Sequence, residues 1–162
     1  MTAVSNYTPK GRLTLVVSSQ EGVPVACRRA RNTVLRNGAG LIAKLFAGAP
    51  NTLAVNQVRV GFAREAASSE ITALTAPEGN ITAAQLSSAI DPEDFTIITN
   101  QPNAVKVVVN ATFKPTIELQ DVSEAGLMAG DVLYNQVVFE PVTFRPGQDV
   151  TFFWEIDFPF GH

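Results

Sequence analysis

Every second residue from Thr151 to Phe160 is apolar. Phe152, Trp154, Ile156, Phe158 and Phe160 fall on one side, and Thr151, Glu155 and Asp157 on the other. Val105 to Phe113 repeats the pattern, setting Val105, Val107, Val109, Ala111 and Phe113 against Lys106, Asn110 and Thr112. A helix would scatter these side chains around its circumference, whereas a strand places them all on one face, so both segments read as strands lying half on a core. Shorter runs at Arg12–Ser18, Gln57–Ala63, Phe95–Thr99, Ile117–Leu119, Val132–Phe139 and Val142–Phe144 read the same way. Asn100-Gln-Pro-Asn103, Ser123-Glu-Ala-Gly126 and Arg145-Pro-Gly-Gln148 are turn signals between them. Pro141 cannot donate to a ladder, so its segment must bend, bulge or lie on an edge. The expected fold is mainly β, an antiparallel sandwich or barrel-like domain of about seven to nine strands.

One helix is expected, over Ala26 to Ala47, packed on that domain. Val34, Leu35, Gly38, Leu41, Ile42, Leu45 and Phe46 recur at helical spacing, with Arg29, Arg36 and Ala43 opposite. Gly38 and Gly40 each weaken a helix by ~1 kcal/mol relative to alanine, and close packing on another backbone is a reason to tolerate them. Gly48-Ala49-Pro50 ends the helix. Thr82-Ala-Ala-Gln85 has the spacing of a capping box opening a short helical turn.

The 162 residues fit a single β-rich domain, 1–162, with a long loop or insert at about 64–92 of the kind that carries binding or assembly. With 46% apolar and 17% charged residues, disorder is excluded. A charge fraction below the usual ~25% suggests a surface partly covered by partners, or one rich in Ser, Thr, Asn and Gln. Cys27 is the only cysteine, so neither an intrachain disulfide nor a thiolate metal cage can form, which suits a reducing compartment. Met1–Tyr7 lacks the basic and apolar regions of a signal peptide, and no stretch approaches the ~20 apolar residues of a membrane helix. Synthesis in a cytoplasm, without membrane insertion, is expected.

The charges are unevenly placed. Residues 1–44 hold seven lysines and arginines against Glu21 alone, while residues 45–162 hold five against fourteen carboxylates. Such a subunit could pack basic end to acidic end with its neighbours, or folding could interleave the charges in space.

No motif names a reaction. His162 is the only histidine and stands last, a poor base for Cys27 or a serine. Neither a phosphate loop nor a Gly-x-Ser-x-Gly elbow is present, and Gly38-Ala-Gly40 lies within the helical pattern, the wrong context for a dinucleotide turn. Glu118, Asp121 and Glu124, like Asp91, Glu93 and Asp94, could be considered for glycoside cleavage or calcium, but neither group has calcium-loop spacing. Arg28, Arg29 and Arg31 could grip phosphate, yet the chain is acidic, with a pI of about 5.1, and no aromatics alternate with them. The aromatic row around Trp154 reads as core, or else as a platform for sugars. Catalytic, cofactor and metal residues are therefore expected to be absent, as is nucleic-acid binding.

Ile117-Glu-Leu, Ser123-Glu-Ala-Gly-Leu, Val132-Leu-Tyr-Asn-Gln-Val-Val-Phe-Glu-Pro-Val142 and Val150-Thr-Phe-Phe-Trp-Glu-Ile-Asp-Phe158, in that order, resemble small structural virion proteins of tailed bacteriophages and related contractile injection particles. Asn37-Gly-Ala-Gly-Leu-Ile-Ala43 and Val58-Arg-Val-Gly-Phe62 are similar too, and residues 64–92 depart from the pattern. The resemblance implies a multicopy component of a tail, baseplate, collar or fibre attachment, located in the virion. It would work by assembly with copies of itself, in a ring or trimer, and with other virion proteins. A carbohydrate- or receptor-binding β-sandwich module is the alternative, for which Trp154 and the 64–92 loop would matter.

For the subunit contact, Arg29 and Arg36 on the outer helix face are expected to meet the acidic late turns at Asp121, Glu124 and Asp131. Ile71, Leu74, Ile81 and Leu86 from the 64–92 loop would supply the apolar part.

Overall fold

The alternating segments form the strands their pattern predicts. The computed structural model describes residues 10–66 and 68–161. Its strands are β1 (Lys10–Ser18), β2 (Pro24–Val34), β3 (Gln57–Gly61), β4 (Ser87–Ala89), β5 (Phe95–Ile98), β6 (Ala104–Phe113), β7 (Leu119–Ala129), β8 (Val132–Leu133), β9 (Asn135–Phe144) and β10 (Asp149–Pro159). All pair antiparallel in one sheet of order β4-β3-β7-β9-β2-β1-β10-β6-β5, with β8 beside β7. The sheet curls into a half-barrel. Its two ends approach each other, for Ser88 Oγ on β4 donates to the Thr112 carbonyl of β6 at 3.0 Å.

The concave side is filled by the inward row of each strand. Leu13, Leu15 and Val17 of β1, Val109, Ala111 and Phe113 of β6, and Phe152, Trp154 and Ile156 of β10 are all buried there. Trp154 stacks on Phe152 at 5.8 Å, and Phe113 meets Phe144 at 5.9 Å. Each such side chain contributes about 1.5–3 kcal/mol by leaving water. Trp154 is thus core and offers no face to a sugar.

The helix is shorter than the sequence pattern suggested. Residues expected to begin it form β2, and α1 runs only from Arg36 to Ala47. Within β2, Ala26, Arg28, Ala30, Asn32 and Val34 do alternate with exposed Val25, Cys27, Arg29, Arg31 and Thr33. The inward side is small or polar, which hides the period of two, and Asn32-Thr-Val34 is a poor run for a helix interior. Gly38 makes the close approach expected of it, since a Cβ there would collide with the Tyr134 carbonyl oxygen, whereas Gly40 faces open space. Gly48 closes the helix in the left-handed region at φ 64°, and Ala49 N–H donates to Lys44 O at 2.9 Å. The expected capping box is present, with Thr82 and Gln85 bonding each other around the 3₁₀ turn Ala83–Leu86.

Two late segments also differ from the sequence reading. Ser123-Glu-Ala-Gly126 lies inside β7, and Val132–Phe144 is the short β8 followed by one long strand through Pro141. The proline is accommodated by a shift in register, with Val122 opposite Val142 and Glu124 opposite Val138. The ladder opens on the other side of β9 as well, where it pairs with β2 only at Asn32–Val34. Arg28 bridges that gap, its Nε donating to Glu140 O at 2.8 Å and Nη2 to Pro141 O at 3.0 Å. A guanidinium here satisfies carbonyls that a strand would otherwise have paired.

Candidate interaction surfaces

Two convex features remain once the core is filled. The first is the outer face of β2 and β1. Their ladder sets Arg12 opposite Arg31 and Thr14 opposite Arg29, all facing away from the core. Like charges directly across a ladder are destabilising. Glu155, facing Arg12 across the β1–β10 ladder, lies 3.6 Å from its Nε. That carboxylate is engaged more closely by Lys106, whose Nζ donates at 2.8 Å and lies 3.7 Å from Asp157. The hydrogen bond raises the Lys106 ammonium pKa and lowers that of the Glu155 carboxyl. Among the described residues, no carboxylate comes within ion-pair distance of Lys10, Arg29 or Arg31. Cys27, exposed on the same face of β2, lies among these cations.

The second feature is α1. Of its twelve residues only Gly38 and Leu41 are buried. Phe46 is 93% exposed, with Ile42 at 36% and Leu45 at 39%, and Leu53 on the segment that follows is 54% exposed. The sequence stripe assigned Ile42, Leu45 and Phe46 to packing on the sheet. The helix is anchored instead through its first turns, where Leu35 N–H donates to Tyr134 O and Arg36 N–H to Ser69 O, and the apolar side chains of its last turn stay exposed.

The other residues expected at an interface divide. Arg29 is exposed, but on β2 instead of a helix face. Arg36 makes two hydrogen bonds to Glu70, at 2.6 and 2.8 Å, so its charge is answered within the chain. Ile71 and Leu74 pack on Leu35, Met128 and Leu133; Ile81 packs on the main core and Leu86 is part of it. The 64–92 segment thus turns these four side chains inward and ends in β4. Asp121 is exposed at φ 55°, 4.0 Å from Arg64, and Asp131 is exposed in the β7–β8 turn.

Glu124 is a correction. It is wholly buried in β7, not presented on an acidic turn. Thr75 N–H donates to its Oε1 at 2.8 Å, Ala63 N–H at 3.4 Å, and the Gln136 amide to Oε2. Gly61 leaves room for the carboxylate, because a Cβ there would collide with Oε1. Glu124 therefore pins the segment after β3 to the sheet. Glu118, Asp121 and Glu124 do not converge, since the first pairs with Arg145 at 3.2 Å and the last faces inward.

Compared with known proteins, the chain matches no family model, no curated protein and no solved structure. Among the described residues no helix is long and apolar enough to cross a membrane, and no group of three or more His, Cys, Asp or Glu is placed to hold a metal ion.

Proposed function

We propose that this protein is a multicopy structural subunit of a tailed-phage or phage-like particle, in its tail, baseplate, collar or fibre attachment, acting by protein–protein assembly. The observation that carries the reading is the apolar surface of α1. Phe46, Ile42, Leu45 and Leu53 stand in water although the core beneath them is closed. Large exposed apolar side chains in one place are a mark of contact surfaces. The sequence resemblance to virion proteins supplies the kind of assembly. A glycan-binding module, the alternative, loses its main candidate because Trp154 is buried.

The test is a reconstruction of particles from a host expressing the chain with a small C-terminal tag. The tag is expected in several symmetry-related positions of a ring or sleeve. Particles that lack it would refute the assignment.

A further inference from the structure

Part of the charge asymmetry survives folding: among the described residues Lys10, Arg29 and Arg31 have no carboxylate within ion-pair distance on the β1–β2 face, although Glu155 and Asp157 border it from β10. β2 and β1 occupy the middle of the strand order, and β4 and β5 its two ends. Curling brings those ends together through Ser88 and Thr112, so the seam they form lies across the half-barrel from the basic face. Residues 65–105 hold no lysine or arginine and six carboxylates: Glu65, Glu70, Glu78, Asp91, Glu93 and Asp94. Asp91, Glu93 and Asp94 lie in the link between β4 and β5, on the seam itself, with Asp91 and Glu93 exposed.

We infer that the outer face of β2 and β1 docks on the β4–β5 seam of a second copy of this chain. Three observations lead there. Arg12 and Arg31 oppose each other across a ladder, a local arrangement that costs stability in the isolated subunit and is relieved by an anionic partner. Lys10, Arg29 and Arg31 have no carboxylate within ion-pair distance among the described residues. The link between β4 and β5 carries the complementary charge in Asp91, Glu93 and Asp94; of the cations on the adjoining strands, Lys106, opposite Ile98, is engaged by Glu155, and Arg59 donates to Ser87 Oγ at 2.9 Å. Because the two patches are different surfaces, the contact is heterologous and joins copies head to tail. Because they lie on opposite sides, each added copy turns little relative to the last, giving a many-membered ring or a stack in preference to a trimer. The inference rests on the assembly reading above and adds a charged contact to the apolar one at α1.

The experiment uses the purified full chain in sedimentation velocity at low and high salt, with circular dichroism to confirm folding. One variant carries Arg29→Glu and Arg31→Glu, the other Asp91→Lys and Glu93→Lys, and a third all four changes. Wild type is expected to self-associate, and raised salt to weaken it, since exposed charges are screened beyond about 10 Å at 0.1 M. Each double variant should lose association by about tenfold or more. An equimolar mixture of the two should recover association with the variants alternating, because the native face of one meets the native seam of the other and the two reversed patches also match. The fourfold variant should recover association.

Double variants that associate like wild type would overturn the inference, as would a fourfold variant that stays monomeric. So would a wild type that assembles only when nucleic acid is added. Charge-dependent association by a chain missing from particles would refute the virion assignment alone. Its presence in particles, with double variants incorporated normally, would refute this contact alone.

Discussion

Arg12 and Arg31 face each other across the β1–β2 ladder on the convex side of the sheet, two cations in register, and the one carboxylate near Arg12, Glu155, is already engaged by Lys106. Nothing in the fold requires this pair. Threonine at either position would suit an outward strand site better. Arg31→Thr is therefore expected to raise the stability of the dissociated chain by about 0.5 kcal/mol in urea denaturation. The same change should weaken self-association. A loss of stability together with unchanged association would mean that the arginine serves the fold instead.

Glu124 is the one carboxylate in the core, and its oxygens serve Ala63, Thr75 and Gln136. Glu124→Leu takes the acceptor from the part-buried Ala63 and Thr75 N–H groups, at a cost of about 3 kcal/mol. In urea this should lower the unfolding midpoint by about 1–2 M. Glu124→Gln keeps an acceptor for Ala63 and Thr75 and should lose about 1 kcal/mol. Limited proteolysis of the leucine variant is expected to cut between residues 62 and 75, the segment that Glu124 holds.

Tyr134 is buried with its hydroxyl unpartnered among the described residues, and burial pushes its pKa up to about 12. In the unfolded chain the same phenol titrates near ~10. The unfolded state therefore releases the proton first, and stability is lost as pH rises from about 10 to about 12. The phenol's share of that loss is on the order of 2 kcal/mol by the upper end. Tyr134→Phe removes this share while leaving stability at pH 7 nearly unchanged, because no hydrogen bond is broken. Thermal midpoints of the two proteins at pH 7 and pH 11 check both statements.

The strands that were legible in the sequence are those whose inward residues are large and apolar, such as Phe152, Trp154 and Ile156 in β10 and Leu13, Leu15 and Val17 in β1. β2 was not legible because its inward row includes Ala26, Arg28 and Ala30, and the alternation carries little hydrophobic contrast. Arg28 belongs there only because the register shift near Pro141 leaves carbonyls to satisfy, a long-range cause that local pattern cannot reveal. The buried role of Glu124 depends on Gly61 and Gln136, each distant in sequence. Of the interface residues read from sequence, Arg29 remains on an open face. Arg36 and the four apolar residues of 64–92 are used within the chain. The exposed end of α1 was not legible, because the stripe from Val34 to Phe46 reads as one buried face and the shortening of the helix to Arg36–Ala47 follows from β2.

Cys27 gives the most direct test of whether the basic face is covered by another copy, because it stands beside Arg29 and is the only thiol in the chain. The rate at which a maleimide reacts with it can be followed over a range of protein concentrations at low salt. Head-to-tail docking predicts that the rate falls as concentration rises and recovers in high salt. The Arg29→Glu, Arg31→Glu variant should react at its monomer rate throughout. A wild-type rate independent of concentration, in a chain that sediments as an oligomer, would contradict the account, because the copies would then meet through some other face.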